Sequence, residues 1–246
     1  MTDPEPTPTR EQTNWAKTPG PLHTGAVQAG AINLNVEGRR LTGPLKGFGQ
    51  MWQKTYTVRL AGAPQTPQEV IAVWKAEFPN FWPAGNHFFK RGAGIQPGEV
   101  AVLNLAAPGG PPVTLISTGI MVIYADDLSF SFMTPEGHIL AGLITFSAYE
   151  GEDGPVAQIQ CLIRPSDPFF EMMFRVGIGH KGEDNFWRAT LRTLAARLGV
   201  SGDPTLETIL VDPRVQWSQA GMIWKNAAIR TGLYLPVALV KRLFGR

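Results

Sequence analysis

Four polar side chains sit where acid–base chemistry could be assembled: Lys54, His138, Glu150 and Arg164. Lys54 falls in the apolar phase of a strand, with Trp52, Tyr56, Val58 and Leu60. A lysine buried there needs a counter-ion or a path to water, so it is either a cavity cation or a side chain snorkelling at the sheet edge. His138 follows Gly137 at a hairpin tip, where it could titrate near neutrality and donate to a ligand carboxylate or phosphate, or hydrogen-bond the turn backbone. Arg164 ends an apolar strand before Pro165. It could clamp an anion at a cavity mouth, or pair with Asp167 or Glu171. Nothing in the spacing demands that these groups act together.

Other chemistries are disfavoured. No Ser-His-Asp order, HExxH, P-loop or metal-spaced cluster occurs, so no catalytic residue, cofactor or metal is expected. The histidines His23, His87, His138 and His180 are scattered. The single cysteine, Cys161, excludes an internal disulfide framework and reads as a small buried hydrophobe in a reducing, cytoplasmic setting. Gly177-Ile178-Gly179-His180-Lys181-Gly182 matches the G-x-G-x-x-G pattern. A dinucleotide fold would need parallel β-α units around it, whereas Asp167-Pro168 starts a helix and every strand looks antiparallel.

The elements that must position these residues follow from local patterning. Val113–Tyr124, Leu128–Thr134, Ile139–Glu150 and Pro155–Arg164 are rich in β-branched and aromatic residues, and the gaps between them hold Asp, Pro and Gly. That is an antiparallel meander. Before it come a strand at Met51–Leu60, a helix opened by Thr66-Pro67-Gln68-Glu69, an aromatic knot from Phe78 to Phe89, and a strand at Glu99–Leu105. After it, Phe169–Val176 is helical, the glycines at 177, 179 and 182 bend or break the pattern, and Trp187, Thr190, Leu191, Leu194 and Leu198 form an amphipathic stripe. Glu207–Val211 is a candidate strand, and Trp217 to Ile229 reads as a helix.

Three regions result: a disordered tail over 1–30, where Pro, Thr, Gly and Gln cannot offset ordering entropy, a body over 31–200, and a basic, partly helical extension over 201–246. With 43% hydrophobic residues the body can build a core, and a net charge of +2 does not imply nucleic acid. The extension has no acid after Asp212. Trp224, Leu235, Lys241, Arg242 and Phe244 are its candidates for contact with a membrane surface, against the plainer reading of a helix packed back on the domain. Its apolar run Leu233–Val240 is too short to span a bilayer.

The order of strand, helix, meander and long helix suits an α+β helix-grip fold. Six or seven antiparallel strands would curve around a long C-terminal helix, with smaller helices closing one end. On this order the chain resembles the START-like (SRPBCC, polyketide-cyclase-like) superfamily. Pro97-Gly98, Thr134-Pro135, Gly137-His138, Gly142, Phe146, Asp153-Gly154 and Arg164-Pro165 resemble the family named domain of unknown function nineteen-ninety. Leu143-Ile144 and Ile163 depart from its pattern. The superfamily resemblance implies non-catalytic binding of a hydrophobic small molecule or lipid. The alternatives are a cyclase- or hydrolase-isomerase-type enzyme in the same cavity, and an interaction protein acting through the basic tail. Candidate ligand-facing residues are Lys54, Tyr56, Trp74, Phe78, Trp82, Phe88, Phe130, Phe132, His138, Phe146 and Arg164.

Overall fold

The structure is a computed structural model, and it describes residues 13–17, 20–26, 28–90, 92, 94–106 and 113–243, with side chains to 236. Nine strands form one antiparallel sheet: β1 (Leu41–Thr42), β2 (Met51–Arg59), β3 (His87–Phe89), β4 (Val100–Ala106), β5 (Thr114–Ala125), β6 (Ser129–Pro135), β7 (Leu140–Gly151), β8 (Gly154–Pro165) and β9 (Thr205–Asp212). Their order is β3-β4-β5-β6-β7-β8-β2-β9, with β1 beside β6. Four α-helices are complete among the described residues: α1 (Pro67–Glu77), α2 (Pro168–Arg175), α3 (Ile178–Arg197) and α4 (Ala227–Leu243).

Local chemistry sets the hairpins. Asp126 Oδ1 accepts the amides of Leu128 and Ser129, which turns β5 into β6. Gly137, at φ +84°, supplies the left-handed residue between β6 and β7, and Gly154 does so between β7 and β8. The twelve-residue strands β7 and β8 then pair without a register shift from Leu140↔Pro165 to Gly151↔Gly154.

One face of this sheet carries the core. Tyr56 and Val58 from β2, Phe130 and Phe132 from β6, Phe146 from β7, and Ile159 and Cys161 from β8 all point to it. Helix α1 covers it with Val70, Ile71 and Trp74, and α3 covers it with Leu191, Leu194, Ala195 and Thr190. Thr66 caps α1 through a reciprocal box with Glu69, as its sequence predicts. The strand order and the covering helix define a helix-grip protein.

Four differences from expectation have clear causes. The sheet has nine strands rather than six or seven, because β1, β3 and β9 are short or pair only with distant partners. The extension is no appendage: β9 pairs along the edge of β2 from Thr57↔Thr205 to Met51↔Asp212. The gripped helix is α3, and another follows it. The expected helix from Trp217 to Ile229 is instead a 3₁₀ segment, Trp217–Lys225, broken at Asn226, whose side chain caps α4 by accepting the Ile229 amide. Within the expected tail, residues 1–12, 18, 19 and 27 lie outside the described residues. Trp15, however, bridges to Tyr124 and meets its ring at 4.8 Å, so that stretch is fixed to the sheet.

The chain between α2 and α3 turns at Gly177, at φ +82°, so the 168–197 region is two helices. Gly179 then lies so close to the Phe174 ring that a methyl group would overlap it. The G-x-G-x-x-G pattern is therefore used for a helix corner and close packing, not for a phosphate loop.

Candidate functional site

Two kinds of site face the grip: an aromatic cluster and, beside it, a buried ionic cluster. The aromatic one is centred on Phe78, whose ring meets those of Trp82, Phe88, Phe130, Phe132 and Phe146 at 5.1–5.9 Å. Trp74 from α1 stands edge-on to Phe130 and Phe146. Trp82 reaches Phe186 of α3 at 5.1 Å, closing the gap between the post-α1 segment and the gripped helix. All the aromatic candidates from the sequence except Tyr56, which turns to the ionic cluster, therefore converge on one another. The interlocked rings fill the space between sheet and helices.

Three polar atoms in this filled region have no hydrogen-bond partner among the described residues. They are the indole Nε1 of Trp74, the indole Nε1 of Trp82 and the hydroxyl of Thr118. Thr118 shares the inward phase of β5 with Ile120 and Val122, and it lies opposite Leu103, which in turn lies opposite Phe88. Buried donors are rarely left unpaired. Thr118 was not among the sequence candidates, because a threonine in a β-branched strand reads as an ordinary sheet residue.

The ionic cluster resolves the phase conflict at Lys54. Its ammonium, only 1% exposed, lies 2.6 Å from Asp184 Oδ1 and 2.9 Å from Glu183 Oε2, both in the second turn of α3. Tyr56 donates to the same Asp184 oxygen at 2.7 Å. Burial would lower the Lys54 pKa, but the two carboxylates outweigh it and hold it above the usual value. Burial raises Glu183 against the pull of Lys54, and it pushes the Tyr56 hydroxyl and the facing Cys161 thiol up as well. Cys161 is thus a neutral, buried thiol. Neither carboxylate was singled out from sequence. The signal was Lys54 itself, since a cation in an apolar strand phase requires an acid opposite it.

His138 and Arg164 do not line the grip. His138 Nδ1 sits 3.1 Å from both the amide and the carbonyl of Leu140, and loss of hydration lowers its pKa to about 4. It pins the hairpin tip, because the chain reverses too tightly there for the ring to reach inward. Arg164 points to the opposite face from its inward neighbour Ile163. It donates to the carbonyls of Gly49 and Arg214 at 2.5 and 2.7 Å, and to Asp212 Oδ2 at 2.6 Å. The expected partners are engaged elsewhere: Asp167 caps α2 and binds Asn226, and Glu171 binds Arg175. Lys54, His138 and Arg164 share no partner, so the acid–base set read from sequence does not assemble.

Two open hollows lie outside the grip. One, of about 420 Å³, is lined by Leu41, Gly43, Pro44, Leu45, Lys46, Met51 and Leu162. The other, of about 590 Å³, has a mixed lining that includes Thr57, Arg59, Tyr149, Asp153 and Val156. Neither touches the aromatic cluster. Of the expected membrane-contact residues, Trp224 is exposed and Leu235 is half-buried. The side chains of Lys241 and Arg242, and all of Phe244, lie outside the described residues.

No family profile matches the chain, and no curated protein matches it in sequence. Similar solved structures include the di-domain ARO/CYC StfQ from the steffimycin biosynthetic pathway, with 12% identity and a TM-score of 0.44 over 61% of this chain and 53% of that one. Protein Ms6760 from Mycobacterium smegmatis shares 14% identity over 65% of this chain and 96% of that chain, with a TM-score of 0.38. Ara h 8.0201 shares 8% identity over 60% and 97%, with a TM-score of 0.40. The chain thus spans about half the length of StfQ. At these values the likenesses say nothing of function.

Proposed function

We propose that the grip binds an apolar small molecule bearing a hydrogen-bond acceptor, held between the aromatic face of the sheet and helices α1 and α3. The observation that carries this reading is the set of unpaired groups, Trp74 Nε1, Trp82 Nε1 and the Thr118 hydroxyl, in a region otherwise built of apolar rings. An apolar pocket with a few placed donors is the usual make-up of a small-molecule site. Because the rings fill the space, binding requires Trp82 and Phe186 to part, which separates the post-α1 segment from α3. The reading is one of binding, since the polar groups nearby are committed to one another in the Lys54 cluster. The finer resemblance to the domain of unknown function nineteen-ninety is part of this proposal only, carried by short motifs such as Gly137-His138 and Arg164-Pro165, which hold a turn and a strand end here.

The test uses the full chain and 1,4-naphthoquinone, an apolar ring system with carbonyl acceptors that quenches tryptophan. Saturable quenching is expected, together with a co-purifying apolar mass in native mass spectrometry. Trp74→Phe and Trp82→Phe each keep a ring and remove one donor, so each should weaken binding by about 3- to 10-fold. Linear, unsaturable quenching with no co-purifying mass would overturn the reading.

A further inference from the structure

The four most exposed large apolar side chains described are Trp224 (84%), Leu45 (74%), Trp217 (74%) and Leu233 (72%). Three of them belong to the stretch after Asp212, which contains no aspartate or glutamate. Leu45 is brought to Trp217 by the fold. Gln216 donates its amide to the Phe48 carbonyl at 2.7 Å, and the Trp217 ring stands edge-on to Phe48 at 5.3 Å. Phe48 is itself buried and tied to the sheet through the Pro165 carbonyl. The tryptophans are therefore displayed from a rigid base.

The surrounding charge is net positive. Lys46 follows Leu45, Arg214 precedes Trp217, Lys225 follows Trp224, and Arg230 lies one turn into α4. The acids that reach this end are already engaged. Asp212 binds both Arg164 and Arg214, and Glu136 binds Lys225. The apolar hollow of about 420 Å³ opens beside Leu45 and is bordered by Lys46, a combination suited to an acyl chain below an anionic headgroup. Tryptophan favours the boundary between headgroups and hydrocarbon, and cations are drawn to anionic leaflets.

We propose that this end of the molecule, displaying Leu45, Trp217 and Trp224 among Lys46, Arg214 and Lys225, docks peripherally on an anionic lipid bilayer. The contact is at the surface, since among the described residues no helix is long and apolar enough to cross a membrane. An exposed apolar patch could also meet a protein, but a rim on which Lys46, Arg214, Lys225 and Arg230 outnumber Asp212 and Glu136 complements lipid phosphate more directly. The proposal does not depend on the grip holding a ligand.

The experiment is co-sedimentation of the full chain with vesicles of phosphatidylcholine alone or mixed with phosphatidylglycerol. Binding to the mixed vesicles should exceed binding to the neutral ones by about 10-fold or more and weaken with added salt. Tryptophan emission should shift to the blue on binding. Trp217→Ala/Trp224→Ala should lose most of it, while Val176→Ala, an exposed apolar position on the α2–α3 turn, should leave it unchanged. Absence of binding, equal binding to both vesicles, or a double variant that binds like the parent would overturn the proposal. So would a concentration-dependent dimer that the double variant abolishes, because the patch would then be a protein interface.

Discussion

Lys54 Nζ and Asp184 Oδ1 lie 2.6 Å apart, joining β2 to the second turn of α3 across 130 residues of sequence. The pair is buried on the lysine side and shares its aspartate oxygen with Tyr56. Removing one member of such a cluster leaves the others desolvated and uncompensated. Lys54→Met should therefore cost about 3–5 kcal/mol in urea unfolding. Lys54→Met combined with Glu183→Leu should recover much of that loss, since it removes the orphaned charge. If the double variant is as unstable as the sum of the singles, the cluster is not coupled as drawn.

His138 gives a pH dependence with a defined sign. Burial depresses its pKa from 6.5 in the unfolded chain to about 4 in the folded one. Between those values the unfolded chain binds more protons, so stability present above pH 6.5 is lost as pH falls toward 4. The contribution is on the order of 3 kcal/mol. Asp167 and Glu183, raised chiefly by burial, act in the opposite direction and His180, lowered chiefly by burial, in the same one, so the parent curve alone mixes several groups. The difference between parent and His138→Gln isolates the histidine, and it should change through that window and flatten above it.

Arg164 fastens the edge of the sheet. Its fork reaches two carbonyls and Asp212 at once, a geometry that lysine cannot reproduce. Arg164→Lys should cost about 2–3 kcal/mol, and hydrogen exchange should show the loss first in β9. Uniform loss of protection across all strands would instead mark a general core defect.

Two glycines at nearly the same φ should behave differently. Gly137 and Gly199 lie at +84° and +80°. A methyl group at 199 meets nothing within 4 Å, whereas at 137 it overlaps the Lys225 carbonyl. Gly199→Ala should therefore cost about 1 kcal/mol from backbone strain alone. Gly137→Ala should cost about 2 kcal/mol more, and amide shifts should spread into 217–227, which the Gly137 carbonyl anchors through Ala227.

The contrast between what sequence revealed and what it concealed follows contact distance. The meander was legible because Asp126, Gly137 and Gly154 set each reversal within a few residues, and the strand ends fall within about a residue or two of where patterning puts them. Strand β3 was hidden: three residues in an aromatic knot show no alternation. Lys54 announced that it needed an acid but not that the acid lay in α3. For Arg164 the near acids Asp167 and Glu171 looked sufficient, and only the fold shows them occupied. The aromatic convergence was legible by type, but its unpaired donors were not, because satisfaction is a property of neighbours.

The placement of β2 between β8 and β9 has a consequence for how the chain comes together. A strand made early, Met51–Arg59, finds its two flanks only in residues 154–165 and 205–212. Until then it carries an open edge, and its Lys54 stays uncompensated until Glu183 and Asp184 are made. Such distant pairing slows folding and leaves unpaired edges exposed during synthesis. The N-terminal half therefore cannot complete a stable sheet ahead of the rest, and folding should be gated by the appearance of the last strand. A chain shortened before Thr205 would lose the outer neighbour of β2 and the counter-ion of Arg164 together, so it would be a trapped folding intermediate rather than a smaller working protein.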